Sequence, residues 1–290
     1  MKYIVVVLLA IMFSGCAKQE APKPNNNENV TNIPNKNIPP RIKFPELKKY
    51  FDDYKATGCM VIYDQVNNMY AYYDSARCNK GFLPASTFKI PNSLFALESG
   101  VVKDENEKLK WDGTVRKMRE EWNQDTDMRM AFKYSTVWFY QECARRIGMP
   151  KMKHYIDTLN YGNKDISRPI DRFWLEGPLR ITAMEQINLL QNIAYNRVPF
   201  SQRNIDILKS IMIQEEISNY VLRGKTGTAA GSPNSGDEVG WFVGYLTTEY
   251  NIYFYALNLD ITENDYKFNE RLLIPRKIFN DMGLTKFEIQ

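Results

Sequence analysis

Ser86 stands three residues before Lys89 in Pro84-Ala85-Ser86-Thr87-Phe88-Lys89, and Lys225-Thr226-Gly227 follows far downstream. Residues three apart on a helix share a side and their side chains can meet, so the first motif suits a serine nucleophile whose proton is taken by a lysine. The pair alone is weak, because 12 serines and 23 lysines produce about one Ser-x-x-Lys by chance in 290 residues. Lys-Thr-Gly is rarer, at about 0.06 chance matches for this composition. The two motifs in this order carry the signal. An imidazole base is all but excluded, since the single histidine, His154, lies among Lys151, Met152 and Lys153 on a solvated helical pattern. One histidine and no Cys-x-x-Cys also leave no zinc set. Lys89 remains as the base, and a lysine near its reference pKa of about 10.4 is useless in that role until burial strips its proton. Thr87, Phe88, Ile90 and Leu94 supply an apolar setting.

These residues need elements to hold them. Pro45 to Ala56 reads as a helix, and Gly58 to Tyr63 and Met69 to Tyr73 as strands joined by a polar turn near Asn67-Asn68. Ser86 to Glu98 reads as a helix closed by Gly100. From about Asp112 to Lys209 helical periodicity dominates, with helices expected over Phe132 to Gly148, Lys151 to Leu159 and Ala183 to Asn196. Strand signals return at Val221 to Thr228, Val239 to Thr247 and Asn251 to Asp260, before a last helix near Asn269 to Asp281. The economical architecture is α+β: one antiparallel sheet built from both ends of the chain and flanked by helices, with an all-helical subdomain inserted in the middle and a cleft where the two meet.

Composition sets the outer limits. The 38 basic and 34 acidic residues leave a net charge of +4 without a basic run, which argues against nucleic acid as a partner. Met1 to residue 15 carry Lys2, an apolar run from Ile4 to Phe13 and then Ser14-Gly15 before Cys16, the pattern of a secretory signal too short to span a bilayer. Residues 16–44 are rich in Asn, Pro and Lys and read as a flexible tether, leaving 45–290 as one catalytic-sized domain. Export permits disulfides. Cys143 fits a buried helical position, so Cys59 and Cys78, flanking the hairpin, are the candidates for a bridge, although sequence does not fix their distance.

A family resemblance emerges from the motifs taken together. Pro84-Ala85-Ser86-Thr87-Phe88-Lys89, Ser135-Thr136-Val137, Tyr161-Gly162-Asn163, Trp174 in Phe-Trp-Leu-Glu-Gly-Pro-Leu, and Lys225-Thr226-Gly227 before Gly240-Trp241-Phe242-Val243-Gly244 resemble the class D serine β-lactamases (oxacillinases), in order and spacing, over roughly Thr57 to Leu284. The resemblance implies the serine β-lactamase and penicillin-binding transpeptidase fold, with β-lactams as substrates. It also implies that Lys89 reacts with CO2 or bicarbonate to become N6-carboxylysine, a carbamate base for both acylation and deacylation. In this family's terms Ser86 is the nucleophile, and Ser135 passes a proton to the leaving nitrogen. The backbone amides of Ser86 and Thr228 form the oxyanion hole. Lys225, Thr226, Gly227 and Arg271 bind the substrate carboxylate, Trp174 and Val137 support the carbamate, and Tyr161, Gly162 and Asn163 are structural beside the site. Thr228 is less apolar than the family usually has there. Trp111 and Met118 fall where the family lines its cleft, but their residue types more often mark a core. No separable cofactor and no metal are implied.

The N-terminal pattern resembles a bacterial lipoprotein signal, which implies cleavage before Cys16, a lipid on Cys16 and attachment to the periplasmic side of a membrane. Phe13 departs from the Leu or Val usual in such signals. Cleavage elsewhere would leave a soluble periplasmic protein. Oligomeric state stays open between monomer and homodimer. Two other activities share these motifs: a β-lactam sensor that keeps its acyl-enzyme, and a cell-wall DD-peptidase.

Overall fold

A computed structural model describes residues 43–229, 238–261 and 270–288. The expected signal, Cys16 and all but the last two residues of the tether lie outside the described residues, as does Asn269. Helix α1 (Lys48–Tyr54) leads into β1 (Gly58–Asp64), which is buried at every position. Its alternate residues feed two cores: Cys59, Val61 and Tyr63 on one face, Met60 and Ile62 on the other. A strand covered on both faces has no need of polar alternation. The Asp64 carboxylate closes the following turn by accepting from the backbone and side-chain nitrogens of Asn67 at 2.9 and 2.8 Å, and β2 (Met69–Tyr73) runs back.

Short α2 (Ser75–Cys78) and a 3-10 turn over Ala85–Phe88 precede α3 (Lys89–Glu98). Helices joined by loops make up the middle of the chain: α4 (Met128–Lys133), α5 (Val137–Ile147), α6 (Met149–Thr158), α7 (Phe173–Glu176), α8 (Ala183–Ala194) and α9 (Gln202–Ile211). Four strands follow, β3 (Ile213–Ile217), β4 (Tyr220–Ala229), β5 (Val239–Thr248) and β6 (Ile252–Asp260), and α10 (Glu270–Asp281) closes the described chain. The sheet order is β2-β1-β6-β5-β4-β3, antiparallel at every pairing. β6 aligns along β1, with Ile62 opposite Tyr255, so one sheet does form from both ends of the chain. One face packs on α1 and α10 through Tyr50, Phe51, Ile274, Ile278 and Phe279, and the other face carries the helical insertion.

Three expectations change. The helix expected over Phe132 to Gly148 is two helices, broken where Ser135 takes a left-handed φ of 57°. β3 was not foreseen, because Ile-Gln-Glu-Glu-Ile on a sheet edge offers no apolar alternation. Cys59 and Cys78 are not bridged: both are free and fully buried. The thiols are neighbours as the hairpin suggested, Cys78 bonding to Cys59 and to the Tyr73 carbonyl at 3.6 Å, and this neighbour together with burial pushes the Cys78 thiol pKa up. Cys143 is a buried free thiol, as expected.

Candidate active site

The nucleophile turn is fixed from three sides. Trp241 on β5 donates its indole hydrogen to the Leu83 carbonyl at 2.9 Å, and Phe82 exchanges backbone hydrogen bonds with Ile181 at 3.0 and 2.9 Å. On α8, Gln186 donates to the Thr87 hydroxyl at 2.9 Å, which donates in turn to Pro84 O at 2.7 Å. A capping box explains why α8 starts where it does: the Thr182 hydroxyl accepts from Glu185 N at 3.0 Å, and the Glu185 carboxylate accepts from Thr182 N at 2.8 Å. Ala85 is held at φ 48°, a strained value for a residue with a side chain, and the turn then hands Ser86 to the start of α3.

Ser86 and Lys89 meet as their spacing demands. Lys89 Nζ lies 2.8 Å from Ser86 Oγ, and the lysine is only 1% exposed. The Tyr140 ring lies 5.4 Å from the amine, and the Tyr140 hydroxyl shares a 2.9 Å hydrogen bond with Ser93. Burial lowers the Lys89 pKa to about 7, so the amine is substantially neutral near neutrality. Trp174, on α7, is completely buried and stacks on Phe88 with ring centroids 5.3 Å apart. Among the described residues its indole N–H has no acceptor, an uncommon condition for a buried donor that points to a missing partner.

Ser135 is presented at the break between α4 and α5, while Val137 begins α5 and packs against the main core. Tyr161 is buried edge-on against Phe88 at 5.5 Å. Gly162 has φ 51°, and a Cβ there would fall 2.0 Å from Arg180 O, so no other residue fits. Asn163 accepts from Arg180 N at 3.0 Å and donates to Pro178 O at 2.9 Å. Gly162 and Asn163 thus pin the segment that follows α7, while Tyr161 packs beneath the Ser86 turn on Phe88.

On β4, Lys225 is 3% exposed, and its Nζ donates to Thr226 O at 3.1 Å. Burial first, then the charges of Lys89, Arg271 and Arg119, lower its pKa well below that of a free lysine. Gly227 is required by close approach: a Cβ would lie 3.0 Å from both Pro84 O and Thr87 Cγ2. That contact sets the backbone of Gly227 and Thr228 alongside the Ser86 turn. Arg271 reaches across from α10 and donates to Gly227 O at 2.9 Å and to Thr228 Oγ1 at 2.6 Å. The polar Thr228 therefore has a local reason, as the acceptor for the arginine. Burial brings the Arg271 pKa down to about 10, with Arg119 adding to the effect.

Ser86 and Lys89 thus lie against residues 225–228 of β4, over which Arg271 reaches from α10. Met118 does not belong to a core, being 79% exposed on the loop that carries Arg119. Arg119 was missed by sequence reading, because nothing in its residue type or spacing distinguishes it from other loop arginines. His154 is exposed on α6 and takes no part. Among the described residues, no group of three or more His, Cys, Asp or Glu side chains could hold a metal ion.

Comparisons with known proteins point to one family of sequences and folds. The penicillin binding protein transpeptidase domain matches residues 53–281. β-Lactamase OXA-48 of Klebsiella pneumoniae is 41% identical over 216 residues, 74% of this chain and 80% of that protein. The crystal structure of the class D β-lactamase YbXI from Nostoc is 46% identical with a TM-score of 0.79, covering 84% of this chain and 100% of that one. The regulatory protein BlaR1 of Bacillus licheniformis is 37% identical over 218 residues, 75% of this chain but 36% of that protein.

Proposed function

The chain belongs to the class D β-lactamases, enzymes that hydrolyse β-lactams, and from that premise we propose that Ser86 attacks the lactam carbonyl while Lys89, carrying a carbamate formed from CO2, provides the base for both half-reactions. The observation that carries this reading is a dry, substantially neutral amine 2.8 Å from the serine oxygen. The residues present fit a carbamate. A neutral amine is the form that captures CO2, and the orphaned Trp174 N–H, stacked on Phe88 next to Lys89, is a donor in want of an anionic acceptor. Once formed, the carbamate supplies a carboxylate-like oxygen able to accept a proton.

The remaining steps fall to the chain's own groups. Ser86 Oγ loses its proton and forms the ester bond to the carbonyl carbon, splitting one hard hydrolysis into two easier steps. The backbone amides of Ser86 and Thr228 donate to the developing oxyanion, each such donor lowering the barrier by about 3–4 kcal/mol. Ser135 carries a proton to the lactam nitrogen as the ring opens. Val137 keeps the Lys89 pocket apolar. Lys225, the Thr226 hydroxyl and Arg271 hold the ring carboxylate, the guanidinium offering a planar fork suited to that anion. Water then attacks the ester and regenerates Ser86.

Steady-state hydrolysis of benzylpenicillin with and without added bicarbonate tests this reading. Turnover that rises with bicarbonate is expected. Acylation that never turns over would instead favour a sensor, a reading consistent with likeness to a regulatory protein, and release of D-alanine from a D-Ala-D-Ala peptide would favour a peptidase. The likeness to OXA-48 and to the class D β-lactamase YbXI supports the hydrolase. The same proposal extends to a lipid anchor on Cys16 on the periplasmic side, supported by the pattern of residues 1–16; Cys16→Ser should abolish incorporation of labelled fatty acid.

A further inference from the structure

The left-handed φ of 57° at Ser135 is unfavourable for a residue with a side chain and persists only where the surroundings over-determine it. Thr136 stands in the N-cap position of α5 and, among the described residues, supplies no side-chain cap. The backbone closes part of the turn: Ser135 N–H donates to Phe132 O at 3.3 Å and Thr136 N–H to Ala131 O at 2.8 Å. The two buried lysines of the site lie on either side of it. The Phe132 ring is 5.6 Å from Lys225 Nζ and the Tyr140 ring is 5.4 Å from Lys89 Nζ, so the stretch between these rings runs from one amine to the other.

Two buried indoles supply the remaining ties, one through the other. Trp122 Nε1 donates at 2.9 Å to Tyr134 O, the carbonyl of the peptide bond leading into Ser135. Trp138, three residues after Ser135 on the first turn of α5, donates from Nε1 to Trp122 O at 2.7 Å. The chain on both sides of Ser135 is thereby joined into a closed circuit through Trp122. Trp122 is itself anchored, because it ends a 3-10 turn (Glu120–Trp122) in a loop whose base is closed where Leu109 and Thr126 exchange backbone hydrogen bonds at 2.9 and 3.2 Å. The Arg116 guanidinium, held by both Asp112 oxygens at 2.9 and 2.7 Å, lies 5.9 Å from the Trp138 ring. Ser86 is fixed by other contacts, those of Trp241 with Leu83 O and of Gln186 with Thr87.

We propose that Trp138 and Trp122 are positioning residues, a two-indole clamp that fixes the Ser135 turn for delivery of a proton to the leaving lactam nitrogen. This rests on the reading of Ser135 as the proton carrier. In that step the electron pair of the breaking C–N bond moves to nitrogen, which takes the Ser135 hydroxyl proton, and Ser135 recovers one from the base that took the Ser86 proton. An acid acts only within hydrogen-bond reach of the atom it serves, and a small misplacement is costly. Attack by Ser86 does not draw on the clamp. Loosening it therefore harms reactions whose leaving group needs a proton and spares those whose leaving group does not.

The test compares acylation of Ser86 by benzylpenicillin, whose nitrogen leaves only once protonated, with acylation by an acyclic phenylacetylglycyl aryl ester bearing a carboxylate, whose phenolate leaves without a proton. Single-turnover rate constants in saturating bicarbonate are taken as a lactam-to-ester ratio within each protein, so a smaller folded fraction cancels. Ser135→Ala should lower the ratio about a hundredfold, the low end of what a positioned acid contributes. Trp138→Phe and Trp122→Phe keep an aromatic ring and lose the donor, and each should lower the ratio about tenfold. The double variant should fall no further than Trp122→Phe alone, because Trp138 acts through Trp122. Benzothienylalanine at position 138, which keeps the bicyclic ring without an N–H, should repeat the effect of Trp138→Phe if packing is undisturbed. A ratio within about twofold of wild type in the Trp138 and Trp122 variants, or equal losses for lactam and ester, overturns the clamp when Ser135→Ala shows its loss. A Ser135→Ala ratio equal to that of the wild type overturns the reading of Ser135 as the proton carrier, and the proposal with it.

Discussion

Trp174→Phe isolates the contribution of one N–H to the base. The indole is buried with no acceptor for its hydrogen among the described residues, a condition that costs about 1–3 kcal/mol in the unmodified protein. The ring stacks on Phe88 at 5.3 Å and meets Phe173 edge-on at 4.9 Å, contacts that a phenyl ring largely keeps. A hydrogen bond to a charged acceptor contributes about 1.5–3 kcal/mol. If that acceptor is a carbamate oxygen on Lys89, phenylalanine weakens CO2 capture by that amount. The bicarbonate needed for half-maximal activity should then rise about 10- to 150-fold, at 1.4 kcal/mol per decade. Benzylpenicillin hydrolysis is followed across a bicarbonate titration in degassed buffer, with unfolding in CO2-free buffer as the control. There the variant should be within about 1 kcal/mol of wild type, because removing an unsatisfied donor offsets the cavity left by the smaller ring. A titration curve that overlays the wild type's would refute the reasoning.

The pH dependence has a definite sign. Burial lowers the Lys89 pKa to about 7, so activity at fixed dissolved CO2 should fall as pH drops through about 7, where the ammonium can no longer capture CO2. The unfolded chain binds the Lys89 proton up to about pH 10.4 while the folded chain releases it near 7, so stability should rise with pH across that window by about 1.4 kcal/mol per unit per proton. Lys225, whose pKa is lowered too, adds to the slope, and Lys89→Met should flatten it in denaturant titrations at several pH values. Gly227→Ala should push the nucleophile turn off β4, costing about 1–3 kcal/mol of stability and at least about tenfold in kcat/KM, measured by unfolding and penicillin hydrolysis. Alkylation in denaturant without reductant should label Cys59, Cys78 and Cys143; labelling of Cys143 alone would mean that the pair is bridged after all.

The residues legible in the sequence are those whose partners lie close along the chain or in rare motifs. Ser86 and Lys89 announced their contact through a three-residue spacing, and Lys225-Thr226-Gly227 through its improbability. The sheet from both chain ends was legible because β1, β5 and β6 are apolar enough to need cover on both faces. Hidden features depend on contacts that only folding creates. The break at Ser135 interrupts an unbroken helical pattern and is enforced by a backbone angle rather than by Gly or Pro. β3 has wet edges and no period. The hairpin told of the nearness of Cys59 and Cys78 but not of their oxidation state.

The base itself can be observed directly. Protein equilibrated with 13C-labelled bicarbonate at pH 8 should give one 13C resonance for a protein-bound carbamate that Lys89→Ala lacks, and that weakens in step with activity as pH falls through about 7. A fully active sample with no such resonance, or one that survives in Lys89→Ala, would contradict the assignment of Lys89 as the carbamate-bearing base.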